Sequence, residues 1–354
     1  MRKKRKLSPA NSGISIIEED CKAILPWIKG SDLKGKKILI TGASGFLGQY
    51  VVQALVAAKR AQNVSCEIVG IGRGIPGPVL KELLLQKEIR FIKKDLSRPF
   101  ALEGRWDVIF HGAGYGQPAK FLENPSSTVA VNVAATQSLL EHARKSRGRF
   151  IFFSSAEVYG DIPAAELPVK ETYNGNPPLH TPRAIYGESK RLGESLSAFY
   201  ASHFGITAKI VRISHVYGPG LSRTDTRVMS DFIRKALEGK QIALLDEGRA
   251  VKTYGYIADV IAMILYAGFH GKEMVYNVGG KDSLSIRELA KKIGKECGAS
   301  VVVPKKKSTL RHIGREPQVV KLDLSKIQKE MGKFPLTSFD EGLERTIEWA
   351  KSLT

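Results

Sequence analysis

Cysteine is scarce. Cys21, Cys66 and Cys297 are the only three in 354 residues. They are odd in number and far apart, so no disulfide framework and no zinc-ligand spacing can be built from them. A reducing, cytoplasmic setting and no bound metal are expected. Long apolar runs are also missing. The best, residues 260–267, is too short to cross a bilayer, so no membrane span is expected. The chain opens on Met1-Arg2-Lys3-Lys4-Arg5-Lys6 and turns polar where a secretory leader needs an apolar stretch. Acids are in short supply, with 35 Asp and Glu against 55 Lys and Arg, for a net charge of +20. Two basic clusters, at 2–6 and 305–307, read as a solvated tail and a solvated loop. A basic surface also suits a substrate that carries a pyrophosphate, and nucleic acid is not the expected partner.

What is present is an alternation of patterns. Residues 1–35 read as an N-terminal extension, with a weak helical pattern over 15–28 carried by Ile16, Ile17, Cys21, Ile24, Leu25 and Ile28. Order begins at Gly35. Short runs at 37–41, 67–71, 90–93, 107–110, 149–153 and 208–213 predict strands, with 37–41, 149–153 and 208–213 read as buried. Helical patterns at 50–58 and 128–143 lie between them. Strands alternating with helices imply a parallel sheet with right-handed crossovers, hence an α/β, Rossmann-type doubly wound fold over 36–214. From 215 to 354 the pattern loosens. Helices at 228–238, 285–295 and 338–351 surround short strands such as 275–278. This part predicts mainly a smaller substrate-binding lobe, with segments that return to the sheet.

The first strand runs into Thr41-Gly42-Ala43-Ser44-Gly45-Phe46-Leu47-Gly48, which opens a helix. Gly42 permits a tight turn, Gly45 lets backbone approach a pyrophosphate, and Gly48 permits close packing of helix on strand. The helix N-terminus then faces the phosphate charge, with Ser44, Phe46 and Leu47 in the same loop. Strand, turn and helix stand in the order that a dinucleotide site needs. An acid for the adenosine ribose belongs at the end of the second strand. That strand ends in Gly72-Arg73 instead. No carboxylate repels a 2′-phosphate there, and Arg73 can pair with one, so NADP stays open beside NAD. Asp95 and Leu96, after the third strand, and Ala113, after the fourth, complete the expected cofactor contacts.

Tyr186 and Lys190 lie four residues apart, on one face of a helix. A tyrosine is a poor base at neutral pH unless cations stabilise its phenolate, and a lysine and an oxidised nicotinamide both do so. Ser155 ends a buried strand, where ligands bind in such sheets. The histidines other than His215, His111 among them, read as structural.

With these residues in place, the chain resembles the extended short-chain dehydrogenase/reductase family, in its nucleotide-sugar epimerase, dehydratase and decarboxylase group. The resemblance covers residues 36–350. It rests on Thr41 to Gly48, on Ser154-Ser155-Ala156-Glu157-Val158-Tyr159-Gly160, on Tyr186 to Lys190, and on Arg212-Ile213-Ser214-His215-Val216-Tyr217-Gly218-Pro219. It implies NAD as cofactor, a nucleotide-diphosphate sugar as substrate, a transient 4-keto sugar and a homodimer. It also implies Tyr186 as acid/base, Lys190 on the nicotinamide ribose and Ser155 on the sugar hydroxyl.

The group's dehydratases carry an Asp-Glu pair where this chain has Ala156-Glu157, which disfavours dehydration. UDP-glucuronate decarboxylases carry a Glu like Glu157 and resemble the chain over Pro182 to Arg191. A decarboxylase-like reaction is therefore the main expectation, and a 4-epimerase the alternative. Arg183, His215, Arg227 and Lys252 are the expected substrate contacts. Lys252 stands where the family has Arg, and His215 where it has Asn, so phosphate recognition there differs. A non-catalytic protein of the same fold that senses NADP or binds RNA is the reading from another class. The intact Ser-Tyr-Lys group argues against it.

Overall fold

The computed structural model describes residues 9–74, 76–304 and 318–353, so both basic clusters, 2–6 and 305–307, lie outside the described residues. The described residues begin with helix α1 (Pro9–Ile24) and a single turn, α2 (Gly30–Leu33). Then come β1 (Lys37–Thr41), α3 (Phe46–Ala61), β2 (Glu67–Gly72), α4 (Pro78–Leu85), β3 (Arg90–Lys93) and β4 (Val108–His111). Short helices α5 (Pro118–Glu123) and α6 (Pro125–Val129) lead through a π-helical segment, Ala130–Ala135, into α7 (Thr136–Ser146). They are followed by β5 (Arg149–Ser155), α8 (Ala184–Phe204) and β6 (Thr207–Ile213). The remainder holds β7 (His215–Tyr217), α9 (Val228–Gly239), β8 (Gln241–Ala243), β9 (Val251–Tyr256), α10 (Ile257–Phe269), β10 (Val275–Val278) and β11 (Asp282–Ser285). Last come α11 (Ile286–Cys297), β12 (Ser300–Val302), β13 (Val319–Val320), α12 (Ser325–Met331) and α13 (Phe339–Ser352).

Seven strands form one parallel sheet in the order β10-β6-β5-β4-β1-β2-β3. The chain enters at β1, winds outward to β3, then returns beside β1 with β4 and winds the other way. That reversal opens a crevice at the carboxyl ends of β1 and β4, the place where such sheets bind ligands. The strands read as unbroken apolar runs because helices cover both faces: all of β4 and the last four residues of β1 are buried. β5 pairs with β4 only as far as Phe152, but with β6 as far as Ser155. Its last residues therefore project past β4 into the crevice. β10 is the late segment that returns to the main sheet, as its edge strand. A smaller sheet orders β11-β9-β13, with β7 paired to β9.

Two differences from the sequence reading matter. The single helix expected over 128–143 is three pieces, because the π-helical segment interrupts it at Asn132. The segment read as an extension is docked: α1 packs on α3, α10 and α13. Ile17, Cys21, Ile24 and Ile28 form its buried stripe. Asp20 lies in the same stripe at 4% exposure. Its carboxylate accepts hydrogen bonds from Tyr50 Oη at 2.9 Å, from Tyr256 Oη at 2.9 and 3.0 Å, and from Arg345 Nη2 at 2.8 Å. Those partners belong to α3, β9 and α13, so one carboxylate ties the N-terminal helix to both ends of the chain. The apolar run at 260–267 lies within α10, a buried core helix. Among the described residues, no helix is long and apolar enough to cross a membrane.

Candidate active site

The glycine loop divides its three glycines by task. Gly42 has φ +71°, and a Cβ there would lie 2.6 Å from Gly112 O. A Cβ at Gly48 would lie 2.2 Å from Gly42 O. The protein's own packing therefore demands both. At Gly45 a Cβ would meet only Gly42 O, at 3.1 Å. The space over Gly45 lies at the N-cap of α3, which has no side-chain cap and no acid in its first turn. Unopposed N–H groups and the positive end of a 16-residue helix fit a pyrophosphate there.

His111 steadies the loop from below. Its Nε2 donates to Val131 O at 3.2 Å, which leaves Nδ1 to accept from Thr41 Oγ1 at 2.7 Å. Thr41 Oγ1 in turn accepts from Ala113 N. Burial, with Lys190 adding to it, pushes His111 down to about 3, so the ring stays neutral.

Tyr186 and Lys190 sit one turn apart on α8. Tyr186 stacks on Phe121 with ring centroids 4.8 Å apart. Burial pushes its hydroxyl up to about 12, while a hydrogen bond with Ser155 pulls the other way. Lys190 Nζ donates to Phe153 O at 2.7 Å and lies 6.0 Å from the Tyr186 ring centroid. Burial pushes its ammonium down to about 7, against the pull of Glu194. Ser155, at the projecting end of β5, accepts from Glu157 N at 3.2 Å and so caps the turn that carries Glu157.

The sequence reading missed Asn132. Its Nδ2 donates to Ser189 Oγ, and Ser189 Oγ donates to Tyr186 O, both at 2.9 Å, which anchors the start of α8. Its buried Oδ1 has no hydrogen-bond partner among the described residues. That oxygen flanks Gly114, with Lys190 Nζ on the same side. A buried asparagine in the middle of a helical pattern, where it is a poor helix former, was the available signal.

The expected substrate contacts fall into two groups. Arg183 and Arg227 are at the crevice. Arg183, 7% exposed, donates to Glu157 at 2.7 Å from Nη2 and 3.3 Å from Nε. The guanidinium expected to contact substrate thus holds a protein carboxylate, because a buried cation needs a counter-charge. Arg227 is clamped by Asp225 through Nε and Nη2, and its guanidinium lies 5.5 Å from the Phe46 ring centroid, against the glycine loop. His215 and Lys252 belong to the smaller sheet. His215 is half-buried opposite Tyr254. Lys252 is 2% exposed and lies in β9 between Leu284 of β11 and Val320 of β13.

At the adenosine end, Arg73 lies 4.5 Å over the Tyr115 ring and donates to its hydroxyl. Asp95 accepts from Ser97 N and Oγ at 2.9 and 2.8 Å. Burial raises its pKa, but those bonds and the charges of Arg73 and Arg98 hold it below the usual carboxylate value. Leu96 is buried beside it. Among the described residues, no cluster of His, Cys, Asp or Glu could hold a metal ion.

The sequence profile of the NAD dependent epimerase/dehydratase family matches residues 38–279. UDP-glucuronic acid decarboxylase 1 of Arabidopsis thaliana is 28% identical over 320 residues, 90% of this chain and 70% of that protein. Its namesake in Xenopus tropicalis is 28% identical over 345 residues, 97% and 79% of the two chains. Among solved structures, UDP-glucuronic acid 4-epimerase from Bacillus cereus, in complex with UDP-glucuronic acid and NAD, superposes with a TM-score of 0.73. It is 28% identical, and the match covers 90% of this chain and 100% of that one.

Proposed function

The chain belongs to the NAD-dependent epimerase/dehydratase family, and on that premise we propose that it converts a UDP-hexuronate through a 4-keto intermediate, with decarboxylation as the outcome. The observation that carries this reading is the Glu157–Arg183 pair beside Ser155, Tyr186 and Lys190. It is a buried guanidinium already shaped around a carboxylate, next to the acid/base group. A sugar carboxylate is the natural competitor for that fork.

Each residue has a task. The glycine loop and Arg227 take the cofactor's pyrophosphate end, and Lys190 its nicotinamide ribose. When bound, NAD supplies the hydride acceptor for C4 of the sugar and a positive charge in the pocket. Tyr186 receives the proton of the 4-hydroxyl, and Ser155 holds that hydroxyl in line. In the free protein the Tyr186 hydroxyl is held far too high for a base. Lys190 as an ammonium lowers it, and a cationic partner in the pocket lowers it further. The 4-ketone is β to the C6 carboxylate, so the C5–C6 bond breaks with its electron pair passing into an enolate. A proton drawn from solvent then adds at C5, and Tyr186 returns its proton to the oxygen on C4 as C4 is reduced again. Glu157 positions Arg183 for the departing carboxylate.

The second reading, 4-epimerisation of the same kind of substrate, is supported by the likeness to the UDP-glucuronic acid 4-epimerase. It needs only Ser155, Tyr186 and Lys190. Dehydration is disfavoured by Ala156. A homodimer belongs to this proposal, because Leu192 and Phe199, two turns apart on α8, stand 49% and 52% exposed. A cytoplasmic setting also belongs to it, since Cys21, Cys66 and Cys297 are all free thiols.

Incubation with UDP-glucuronate, read by mass, tests the proposal. Loss of carbon dioxide is expected. An unchanged mass with inverted C4 selects the epimerase, and loss of water selects the dehydratase. Tyr186→Phe should lower turnover by roughly a hundredfold or more with the fold intact. Near-wild-type turnover in a folded variant would rule out Tyr186 as the acid/base.

A further inference from the structure

Where the second strand ends, Gly72 and Arg73 stand in the place of a ribose acid. We infer that this chain accepts the 2′-phosphate of NADP(H), and that Arg73 is the residue that selects it. This deepens the reading above and rests on it, since the crevice must hold a dinucleotide.

β2 pairs with β1 up to Thr41 opposite Ile71, so Gly72 is the next residue beyond, level with the glycine loop. An acid there would bind both ribose hydroxyls and repel a phosphate. The position is filled in another way. A Cβ at Gly72 would lie 2.5 Å from Ser44 Oγ and 3.1 Å from the Phe91 ring. The Ser44 hydroxyl occupies the space in which an acidic side chain would start. It is uncharged, and it can donate to a phosphate oxygen.

Arg73 follows at once. Its guanidinium is held over the Tyr115 ring and hydrogen-bonded to the Tyr115 hydroxyl. Tyr115 follows β4, which lies on the far side of β1 from β2. Arg73 is therefore drawn across the mouth of the crevice. A ring and a hydroxyl orient a guanidinium without neutralising it. The nearby acid, Asp95, spends two acceptor positions on Ser97 and feels the charges of both Arg73 and Arg98. Two guanidiniums and one carboxylate leave this end net positive. A 2′-phosphate meets an oriented arginine and no fixed negative charge within the strand end.

The test is direct binding of NAD and NADP to the full-length protein by calorimetry, on the wild type and on Arg73→Ala. The wild type should bind NADP at least as tightly as NAD. Arg73→Ala should weaken NADP by roughly ten- to a hundredfold, the scale of a lost charge-assisted contact, with NAD little changed. Tight binding of NAD alone, unaltered by Arg73→Ala, overturns this inference and leaves the proposed reaction standing. Failure of the wild type to bind either dinucleotide overturns both.

Discussion

Replacing Asp20 with alanine removes one carboxylate and strips three donors of their acceptor. Tyr50 has the least recourse: its side chain is fully buried on α3, one turn from Phe46 at the glycine loop, with ring centroids 6.4 Å apart. Tyr256 is nearly as enclosed, though Arg345 Nε donates to its hydroxyl at 2.9 Å. Arg345 is better placed, because it also reaches Glu19 and Ile16 O and is partly open to water. A stranded buried hydroxyl costs about 1–3 kcal/mol, and breaking a buried charge pair costs about 3–5 kcal/mol. These overlap, so the expected loss is about 3–5 kcal/mol. At roughly 2 °C per kcal/mol for a chain of this size, Tm falls by about 6–10 °C. Burial pushes the Asp20 carboxyl up despite Arg345 and the two tyrosines. A raised folded-state pKa means that its contribution is greatest at low pH and declines as pH rises through that value. Acid therefore does not release the contact. Thermal scans and limited proteolysis of Asp20→Ala check the prediction, with early cleavage between α1 and β1 expected. An unchanged Tm would show that α1 is peripheral, and removal of residues 1–30 would then leave catalysis intact.

Gly45→Val should fold normally, because a Cβ there meets only Gly42 O at 3.1 Å. It should nevertheless abolish dinucleotide binding, since a branched side chain fills the phosphate approach; unchanged affinity at unchanged Tm would remove the loop from the cofactor site. Lys190→Met should raise stability most at and below about pH 7, because burial holds the folded-state ammonium far below its ordinary value and charging it there works against the fold. Between about 7 and its ordinary 10.5, the unfolded chain holds a proton on Lys190 that the folded chain does not. Wild-type stability therefore gains on the variant as pH rises through that window. A gap that does not change with pH would contradict the depressed ammonium.

What could be read from the sequence is what the chain encodes within a few residues. The central strands were legible because burial on both faces makes β1 and β4 continuous apolar runs, and the readings at 90–93 and 275–278 coincide with the edge strands β3 and β10. The glycine loop was legible because a tight turn and a close helix permit no side chain. Tyr186 and Lys190 were legible because a four-residue spacing on a helix is a spatial relation in itself. Other features depend on which elements meet. Arg183 and Glu157 are 26 residues apart, and their pairing exists only because the turn after β5 meets the start of α8. Lys252 reads as a substrate contact, and its burial between β11 and β13 appears only once the smaller sheet is assembled. The helical stripe around Ile17 announced a buried face but not what it packs against. The acceptor it carries, Asp20, finds Tyr256 and Arg345 more than 200 residues away. No local pattern records such a partner, because the contact exists only once α3, β9 and α13 have closed around it.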